Sequence, residues 1–384
     1  MKLICDKKEC TGCGLCAARC PKHCIDMKPG FLGHLYPEID QTKCIDCKLC
    51  HKGCPSLQDI SSCYPKKAYA AWSKDEDDYI SSTSGGIASV LSQYIVAKGG
   101  VVYGCSVLPN IQISHIRVDK LENLHLLKGS KYVQSQIKDI IPQLRKDVKD
   151  GLPVLFIGTP CQVAAIKQLY KTIPDNLYLV DIICHGTPSN KFLKDYIQRN
   201  LKIDVAKVTD VKFRLPNEYS LCVFEQDKLL YKSNNLWTHR YEDLYMDTFI
   251  DGCTFRYSCN SCHYAKSNRI SDLTIGDFWG LGKEVSDKDI PKHKNGISCV
   301  LPITDKGMLL VNAIRHCLNL YERPVTEAIN GNDQLRHPKE ENLRIILFKS
   351  ISSIIGLRNA YIFCMIDKII RRRIGKIIKN NKTI

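Results

Sequence analysis

Two cysteine runs near the start of the chain constrain its fold more than any other feature. The first reads CTGCGLCAARCP from Cys10 to Pro21, and the second reads CIDCKLCHKGCP from Cys44 to Pro55. Each run spaces three cysteines by two residues, and a fourth cysteine follows after three more residues and precedes a proline. Because the second run repeats the first after 34 residues, we expect one structural unit to occur twice.

This spacing predicts iron-sulfur ligation, since three closely spaced thiolates bind one cluster and the fourth cysteine, ahead of proline, ligates the other cluster. The region resembles a bacterial-type two-cluster ferredoxin domain with two 4Fe-4S clusters. One cluster takes Cys10, Cys13, Cys16 and Cys54, and the other takes Cys44, Cys47, Cys50 and Cys20. Structural zinc, the alternative, requires cysteine pairs separated by a longer loop. Three further thiols fit neither quartet, and we expect them to be buried or spare: Cys5, Cys24 and Cys63.

The bulk properties argue against several protein classes. The 21 cysteines, with no apolar leader ahead of the first run, favour a reducing cytoplasm over a disulfide-bonded secreted protein. No apolar run approaches the roughly 18 residues that a membrane span needs. The net charge is +15, but ten Lys or Arg and one Asp lie in residues 343–384 alone. No nucleic-acid-binding signature accompanies this charge, so we expect no nucleic-acid partner.

The body of the chain alternates apolar strands with helical stretches. Strands are predicted from Val101, Pro153 and Leu177, and helices from Gly86 and Cys161. This alternation predicts an α/β fold in which helices cover a parallel or mixed sheet. In such sheets ligands bind at the carboxyl ends of the strands, so the loops at those ends are the places to look for a site.

Three of these loops carry candidate chemistry. STSGG, at residues 82–86, precedes a helix and either cradles a phosphate or is an ordinary capped helix start. GTPCQV places Cys161 on the first turn of a helix, where the helix N-terminus favours a thiolate; a buried thiol is the alternative. CHGTPS, after the next strand, offers Cys184 and His185. His185 is our candidate catalytic acid or base, with a structural histidine as the alternative.

A third cysteine group follows in the second half of the chain, as Cys253-x5-Cys259-x2-Cys262. Three cysteines do not complete a four-thiolate site, so a remote fourth is needed. Cys161 is the preferred donor and Cys184 the reserve. We predict a third 4Fe-4S cluster here, with zinc as the alternative.

Six motifs occur in order over about residues 65–285. They are SGG at 84–86, GGVVYG at 99–104, GSKYVQS at 129–135, GTPCQVA at 158–164, DIICHGTPS at 181–189 and SDLTIGDFWG at 271–280. Together they resemble the coenzyme F-420 hydrogenase/dehydrogenase beta-subunit family. The resemblance implies a flavoprotein, generally binding FAD, that passes electrons between iron-sulfur clusters and a two-electron partner such as F-420.

The same resemblance implies the positions of site residues. Those on the flavin side or beside the cluster cysteine are Ser84, Gly85, Gly86, Ser130, Lys131, Tyr132, Gln134, Gly158 and Thr159. Lys131 either offsets a phosphate charge or is a solvated surface lysine. FRLPNEYS from Phe213 departs from the family's Phe-Arg-x-Lys and Gly-Trp pattern, so the substrate pocket is expected to differ. Family members without F-420 often accompany polysaccharide biosynthesis.

The expected organisation is therefore an α+β two-cluster domain at 1–62, an α/β flavin and iron-sulfur domain with parts at 63–150 and 151–340, and a basic helical tail at 341–384. We expect an oxidoreductase that works with a redox partner protein or a small carrier. The alternatives are an electron-transfer subunit of a larger oxidoreductase, with no substrate of its own, and an iron-sulfur scaffold or sensor.

The tail reads YIFCMIDKIIRRRIGKIIKNNKTI from Tyr361. One helical stripe carries Ile362, Ile366, Ile369 or Ile370, Ile374, Ile377 and Ile378. Such a basic amphipathic helix lies on an anionic membrane surface or contacts an acidic partner. Packing of these isoleucines on the chain's own domain is the alternative.

Overall fold

The computed structural model describes residues 3–291, 293 and 295–380, without the side chains of 375–380. An N-terminal module contains both cysteine runs. Its elements are α1 (Leu15–Ala18), β1 (Ile25–Pro29), β2 (Leu35–Ile39) and α2 (Leu49–Lys52). β1 and β2 pair antiparallel, with Ile25 opposite Ile39. Because α1 and α2 occupy equivalent positions in the two runs, the sequence repeat is also a structural repeat.

The body is built on a mixed sheet. The strands of the body are β3 (Ala68–Ser73), β4 (Val101–Leu108), β5 (Gln112–Val118), β6 (Val154–Gly158), β7 (Leu177–Ile182), β8 (Asp210–Lys212), β9 (Cys222–Glu225), β10 (Lys228–Lys232), β11 (Leu273–Asp277), β12 (Ser298–Pro302) and β13 (Leu318–Arg323). Eight form one sheet in the order β13-β3-β12-β11-β7-β6-β4-β5, and the other three form a small antiparallel sheet, β10-β9-β8. In the large sheet β4, β6, β7 and β11 run parallel.

Helices cover both faces of the large sheet. The helices of the body are α3 (Glu76–Ile80), α4 (Ile87–Ala97), α5 (Ile141–Lys149), α6 (Pro160–Lys167), α7 (Asn190–Asp195), α8 (Leu244–Asp251), α9 (Tyr257–Asn260), α10 (Asp305–Ile314) and α11 (Val325–Gly331). In β6, Leu155 packs with residues of α4 and α10, whereas its neighbour Phe156 packs with α5 and α6. Parallel strands are apolar on both faces for this reason. The predicted α/β body, its strands β4, β6 and β7 and its helices α4 and α6 are confirmed.

The sheet takes strands from both predicted parts of the body. β4 of the 63–150 part pairs with β6 of the 151–340 part, and β3 pairs with β12. The two parts therefore share one hydrogen-bonded sheet.

The chain continues as a helical hairpin of α12 (Leu343–Ile355) and α13 (Leu357–Asn380). Gly356 connects the helices with a left-handed φ of 80°, and Arg344 forms an ion pair with Asp367 across them. Residues 381–384 of the predicted tail, and the side chains of Ile377 and Ile378, lie outside the described residues. Within the described part, no helix combines the length and apolar character that crossing a bilayer requires.

Candidate iron-sulfur centres and redox site

The first cysteine quartet lines one cavity of the N-terminal module. Cys10, Cys13 and Cys16 face it together with Cys54 from the second run. Gly12 and Gly14 turn the chain around it with left-handed φ values of 66° and 74°. Such turns let the backbone wrap closely around a bound group. Cys5 also faces this cavity, within hydrogen-bonding reach of Cys10 and Cys54. We name these four predicted ligands and their cavity the first centre.

The second quartet lines the other cavity of the module. Cys44, Cys47 and Cys50 face it with Cys20 from the first run, and we name this group the second centre. The Cys24 thiol lies 3.4 Å from that of Cys20. Each cavity thus combines three cysteines of one run with the last cysteine of the other, and each contains one additional thiol.

Four cysteines of the body form a third group. Cys161, Cys184, Cys259 and Cys262 lie within electrostatic range of one another, and we name them the third centre. Cys161 follows β6 and Cys184 follows β7, so the parallel pairing of these strands places both at the same sheet edge. Cys259 lies on α9, and Cys262 follows that helix. Within the described residues, no three His, Cys, Asp or Glu side chains converge closely enough to hold a single metal ion.

Cys253, predicted as a ligand of this group, is placed elsewhere by the structure. It is buried between α8 and the helical hairpin, among Phe348, Tyr361 and Cys364. Burial raises the pKa of its thiol to about 12. Cys184, the reserve donor in the sequence analysis, occupies the third centre in its place.

The sequence analysis predicted that Cys161 is a thiolate, and the environment of this cysteine in the structure does not support that prediction. The helix start is present as predicted, but desolvation by burial raises the pKa of this thiol to about 12, although a hydrogen bond with the Thr159 hydroxyl lowers it in part. Burial likewise raises the pKa of Cys13 to about 11. In contrast, the hydrogen bond from Cys5 and then the positive charge of Arg256 lower the pKa of Cys10 to about 6. A metal would have to displace protons from most of these thiols.

The first and third centres are neighbours. The Cys13 thiol is close enough to Cys161 to contribute to the raised pKa of the Cys161 thiol. The phenol of Tyr264, which is buried, lies within electrostatic range of thiols of both centres, with Cys161 and Cys262 on one side and Cys13 and Cys54 on the other. Cys16 and Cys54 of the first centre pack in the same apolar cluster as Cys20 and Cys50 of the second. The three cysteine groups therefore form a continuous series from the second centre, through the first, to the sheet edge.

Arg256 joins the module to the body beside the first centre. Its side chain is only 1% exposed and donates to Leu35 O at 2.7 Å, to Cys10 O at 3.1 Å and to Gln134 Oε1 at 3.1 Å. The guanidinium also stacks 4.6 Å from the ring centre of Tyr36. A buried arginine is stable only when such acceptors surround it, so this contact fixes how the module docks.

Further hydrogen bonds cross the same interface. Ser258 Oγ donates to Cys10 O at 3.1 Å, and Gln134 Nε2 donates to Thr11 O at 2.8 Å. On the module side, His34 Nε2 donates to Thr254 O at 3.1 Å. Gln134, predicted on the flavin side, therefore lies at the module interface.

The other predicted flavin-side residues lie in two adjoining loops. Thr83 Oγ1 lies 3.1 Å from Ser130 Oγ, which brings the STSGG loop next to the loop at 128–134. Ser84 accepts a hydrogen bond from Ser298. Gly85 is packed so tightly that a Cβ would lie 2.1 Å from Ala71 O, and Gly86 begins α4 with a left-handed φ of 81°. These contacts give the two glycines structural roles.

Lys131 and Tyr132 continue the second loop. The Lys131 ammonium donates to Leu127 O and Lys128 O, and burial lowers its pKa. It is therefore not a solvated surface lysine. Tyr132 stacks 4.6 Å from the Phe249 ring, and burial raises the pKa of its phenol.

Gly158, Thr159 and His185 lie next to the third centre. A Cβ on Gly158 would meet the Phe156 ring at 2.8 Å, and Thr159 caps α6. Both ring nitrogens of His185 already have partners, since Nε2 donates to Ile250 O at 3.3 Å and Nδ1 accepts from Gln334 at 2.9 Å. Burial lowers its pKa. This is the environment of a structural histidine.

A group that the sequence analysis did not assign lies at the end of β11. Arg214 donates to Asp277 Oδ2 at 2.7 Å, and its guanidinium lies 4.2 Å from the ring centre of Tyr219. Trp237 and Trp279 flank Tyr219, with ring centres 5.6 and 6.1 Å away. We name these five residues the aromatic-arginine site. The available signals were the motifs FRLPNEYS and SDLTIGDFWG, which contain Arg214, Asp277 and Trp279.

The aromatic-arginine site has the character of a binding surface. Trp237 and Trp279 are 49% and 52% exposed, whereas the Arg214 side chain is 8% exposed. Its Nε is buried without a hydrogen-bond partner among the described residues. A buried donor of this kind costs about 1–3 kcal/mol unless a ligand satisfies it. Tyr132 lies within electrostatic range of Arg214 and Asp277, which links this site to the predicted flavin side.

The fold and these cysteine groups define an iron-sulfur protein in which a two-centre module is docked on an α/β domain. Residues 9–57 match the 4Fe-4S dicluster domain. Residues 152–328 match the family described as the C terminus of the coenzyme F420 hydrogenase/dehydrogenase beta subunit. The resemblance seen in the motifs is therefore confirmed, and an oxidoreductase-type component is indicated.

The search of solved structures finds a chain in the work titled "Xenon derivatization of the F420-reducing [NiFe] hydrogenase complex from Methanosarcina barkeri". It is 17% identical, with a TM-score of 0.47, and the match covers 71% of this chain and 91% of that chain. No curated protein matches the chain.

Proposed function

We propose that this protein is an iron-sulfur flavoprotein oxidoreductase that passes electrons between 4Fe-4S clusters, a bound FAD and a two-electron carrier or substrate. The observation that carries the proposal is the continuous series of three four-cysteine groups, which ends at the sheet edge where Arg214 lies. A flavin-linked electron relay needs one-electron centres next to a cofactor site, and the unsatisfied Arg214 Nε offers such a site a hydrogen-bond donor.

The cysteines supply the cluster ligands in this proposal. The first centre uses Cys10, Cys13, Cys16 and Cys54, the second uses Cys44, Cys47, Cys50 and Cys20, and the third uses Cys161, Cys184, Cys259 and Cys262. Four thiols in each group fit a 4Fe-4S cluster. The thiols of the first and third centres are buried or half-buried, which limits access of water, and Tyr264 lies close to both centres.

The second centre is the proposed contact with a redox partner protein. Cys47 is exposed, and Ile45 and Leu49 beside it are exposed apolar side chains. A small apolar surface next to a redox centre is suited to a transient electron-transfer contact. The same observation favours the second candidate function, an electron-transfer subunit that docks on a larger oxidoreductase and has no substrate of its own.

The aromatic-arginine site and Tyr132 are the proposed flavin contacts. The donor set fits a flat ring with polar edges, because Arg214 offers a buried N–H and the two tryptophans offer exposed faces. FAD, when bound, exchanges single electrons with clusters and hydride equivalents with a carrier. Lys131 and the loop at 82–86 would contact the phosphate groups of the FAD. The two-electron partner would be F-420 or another carrier. In a polysaccharide-biosynthesis role, the two-electron partner would instead be a glycan precursor.

The proposed location is the cytoplasm, since none of the 21 cysteines forms a disulfide and a reducing compartment preserves thiols and cluster ligands. His185 keeps its proposed catalytic role only if a substrate displaces Gln334 from its ring.

Purification without oxygen, followed by iron, sulfide and flavin analysis, tests the proposal. Three clusters correspond to about twelve iron atoms per chain, with one FAD released on denaturation. Cys184→Ser should lower the iron content by about four atoms, and Cys253→Ser, the matched control, should leave it unchanged. If both variants retain full iron, the third centre is wrong. If no flavin binds after reconstitution, the electron-transfer subunit is the better assignment.

A further inference from the structure

The helical hairpin exposes an unusual amount of apolar surface. Ten of the 23 large hydrophobic side chains that are exposed among the described residues lie within residues 343–374. On α12 they are Leu343, Ile346, Leu347, Ile354 and Ile355, and on α13 they are Ile362, Phe363, Ile366, Ile370 and Ile374. On α13, Ile362, Ile366, Ile370 and Ile374 recur every four residues and so share one face of the helix. An exposed apolar face of this kind marks an interaction site.

The opposite side of the hairpin is anchored in the protein. Phe348, Tyr361 and Met365 are buried against Cys253, and Tyr361 donates to Asp251 at 2.7 Å. Ile369 packs at the edge of this cluster, whereas Ile370 is 48% exposed. The hairpin is therefore held in place by one face, and the isoleucine stripe on the other face remains uncovered.

The charge and the apolar character of this face together indicate which partner covers it. Residues 343–374 hold seven Lys or Arg against one Asp, and Arg358, Arg371 and Arg373 are exposed. An acidic partner alone would not cover the isoleucines, and a second copy of the hairpin would bring like charges together. An anionic bilayer surface satisfies both features, since its headgroups attract arginine and its acyl boundary takes up the isoleucines. A helix lying in the interface plane fits the hairpin, which has no span-forming helix among its described residues.

We infer that the hairpin of α12 and α13 binds the surface of an anionic phospholipid bilayer, with Ile362, Ile366, Ile370 and Ile374 inserted at the headgroup boundary. The inference goes beyond the redox function and does not depend on it. It places the protein at a membrane surface.

Vesicle flotation of the full chain tests this inference. The protein should float with phosphatidylcholine vesicles that contain phosphatidylglycerol and remain unbound with phosphatidylcholine alone. Ile366→Glu combined with Ile370→Glu should abolish flotation, and Arg371→Gln combined with Arg373→Gln should weaken binding about 30-fold, because each basic residue near the surface contributes about 1 kcal/mol.

The matched control is Leu309→Glu, which places a carboxylate on a 69% exposed leucine of α10 and should leave flotation unchanged. Circular dichroism and iron content should be the same in all variants, since every substituted side chain is exposed. Equal binding to both kinds of vesicle, or no binding to either, would overturn the inference. So would a concentration-dependent dimer that Ile366→Glu and Ile370→Glu dissolve, because the face would then bind a second copy.

Discussion

Replacement of Arg256 by methionine should release the N-terminal module from the body without unfolding the body. The substitution keeps much of the buried volume but removes the donors to Leu35 O, Gln134 Oε1 and Cys10 O. All three acceptors lose the charged donor, but Cys10 O retains the hydrogen bond from Ser258, so the full loss falls on Leu35 O and Gln134 Oε1. Each loss costs about 1–3 kcal/mol, which gives about 2–6 kcal/mol at the interface.

Hydrogen exchange followed by mass spectrometry, under anaerobic conditions, measures this loss by region. Peptides from residues 9–20 and from β2 should exchange at least about 30-fold faster in Arg256→Met than in the wild type, whereas peptides from β6 should not change. Arg256→Lys keeps the charge but not the planar donor group, so it should restore only part of the protection. Arg199→Met, at a 76% exposed side chain, is the control for an ordinary arginine loss.

Two results would refute this reasoning. Unchanged exchange near Cys10 and Leu35 in Arg256→Met would show that the other interface contacts suffice. Equal acceleration in β6 would show that Arg256 stabilises the whole fold rather than the docking of the module.

Three further substitutions test other parts of the structure. Arg214→Met should weaken flavin binding about 10- to 100-fold, because hydrogen bonds from charged groups are worth about 1.5–3 kcal/mol; unaltered binding by fluorescence titration would move the flavin site elsewhere. Burial lowers the pKa of His34 to about 3, so the unfolded chain binds this proton at higher pH than the folded chain does. Stability should therefore fall as the pH drops below about 6.5, and urea midpoints of His34→Gln should lack this component. The Gly12→Ala variant should lose iron from the first centre and have a lower urea midpoint. The added Cβ would lie 2.2 Å from Arg256 Nη2, and the φ of 66° at this position disfavours alanine. Full iron content in this variant would contradict the tight docking of Arg256 on this loop.

The sequence predicted those features that depend on local pattern. Strands such as β6 follow from a short apolar run, and the two cysteine quartets of the module follow from a repeated spacing. The crossing of Cys20 and Cys54 between cavities was predicted because the proline after each cysteine directs it away from its own run.

The third centre could be predicted only in part, because its ligands depend on strand order. Cys253 is near Cys259 in sequence, but it ends in the core under the hairpin, since the chain after α8 turns at Gly252 with a φ of 79°. Cys184 is remote in sequence, yet the parallel pairing of β7 with β6 and β11 brings it to the same edge as Cys161. The aromatic-arginine site was missed for the same reason, since Arg214 and Asp277 meet only through tertiary contacts.

The exchange of Cys20 and Cys54 between the two cavities bears on how the protein is made. The second cavity has all four thiols once the chain has been synthesised through Cys50, but the first cavity lacks its fourth until Cys54. Iron insertion into the first run therefore has to wait for the second. Arg256, which packs beside the first centre, is synthesised much later. Assembly enzymes would therefore reach an open module on the nascent chain, and folding of the body would afterwards close the first centre against further exchange.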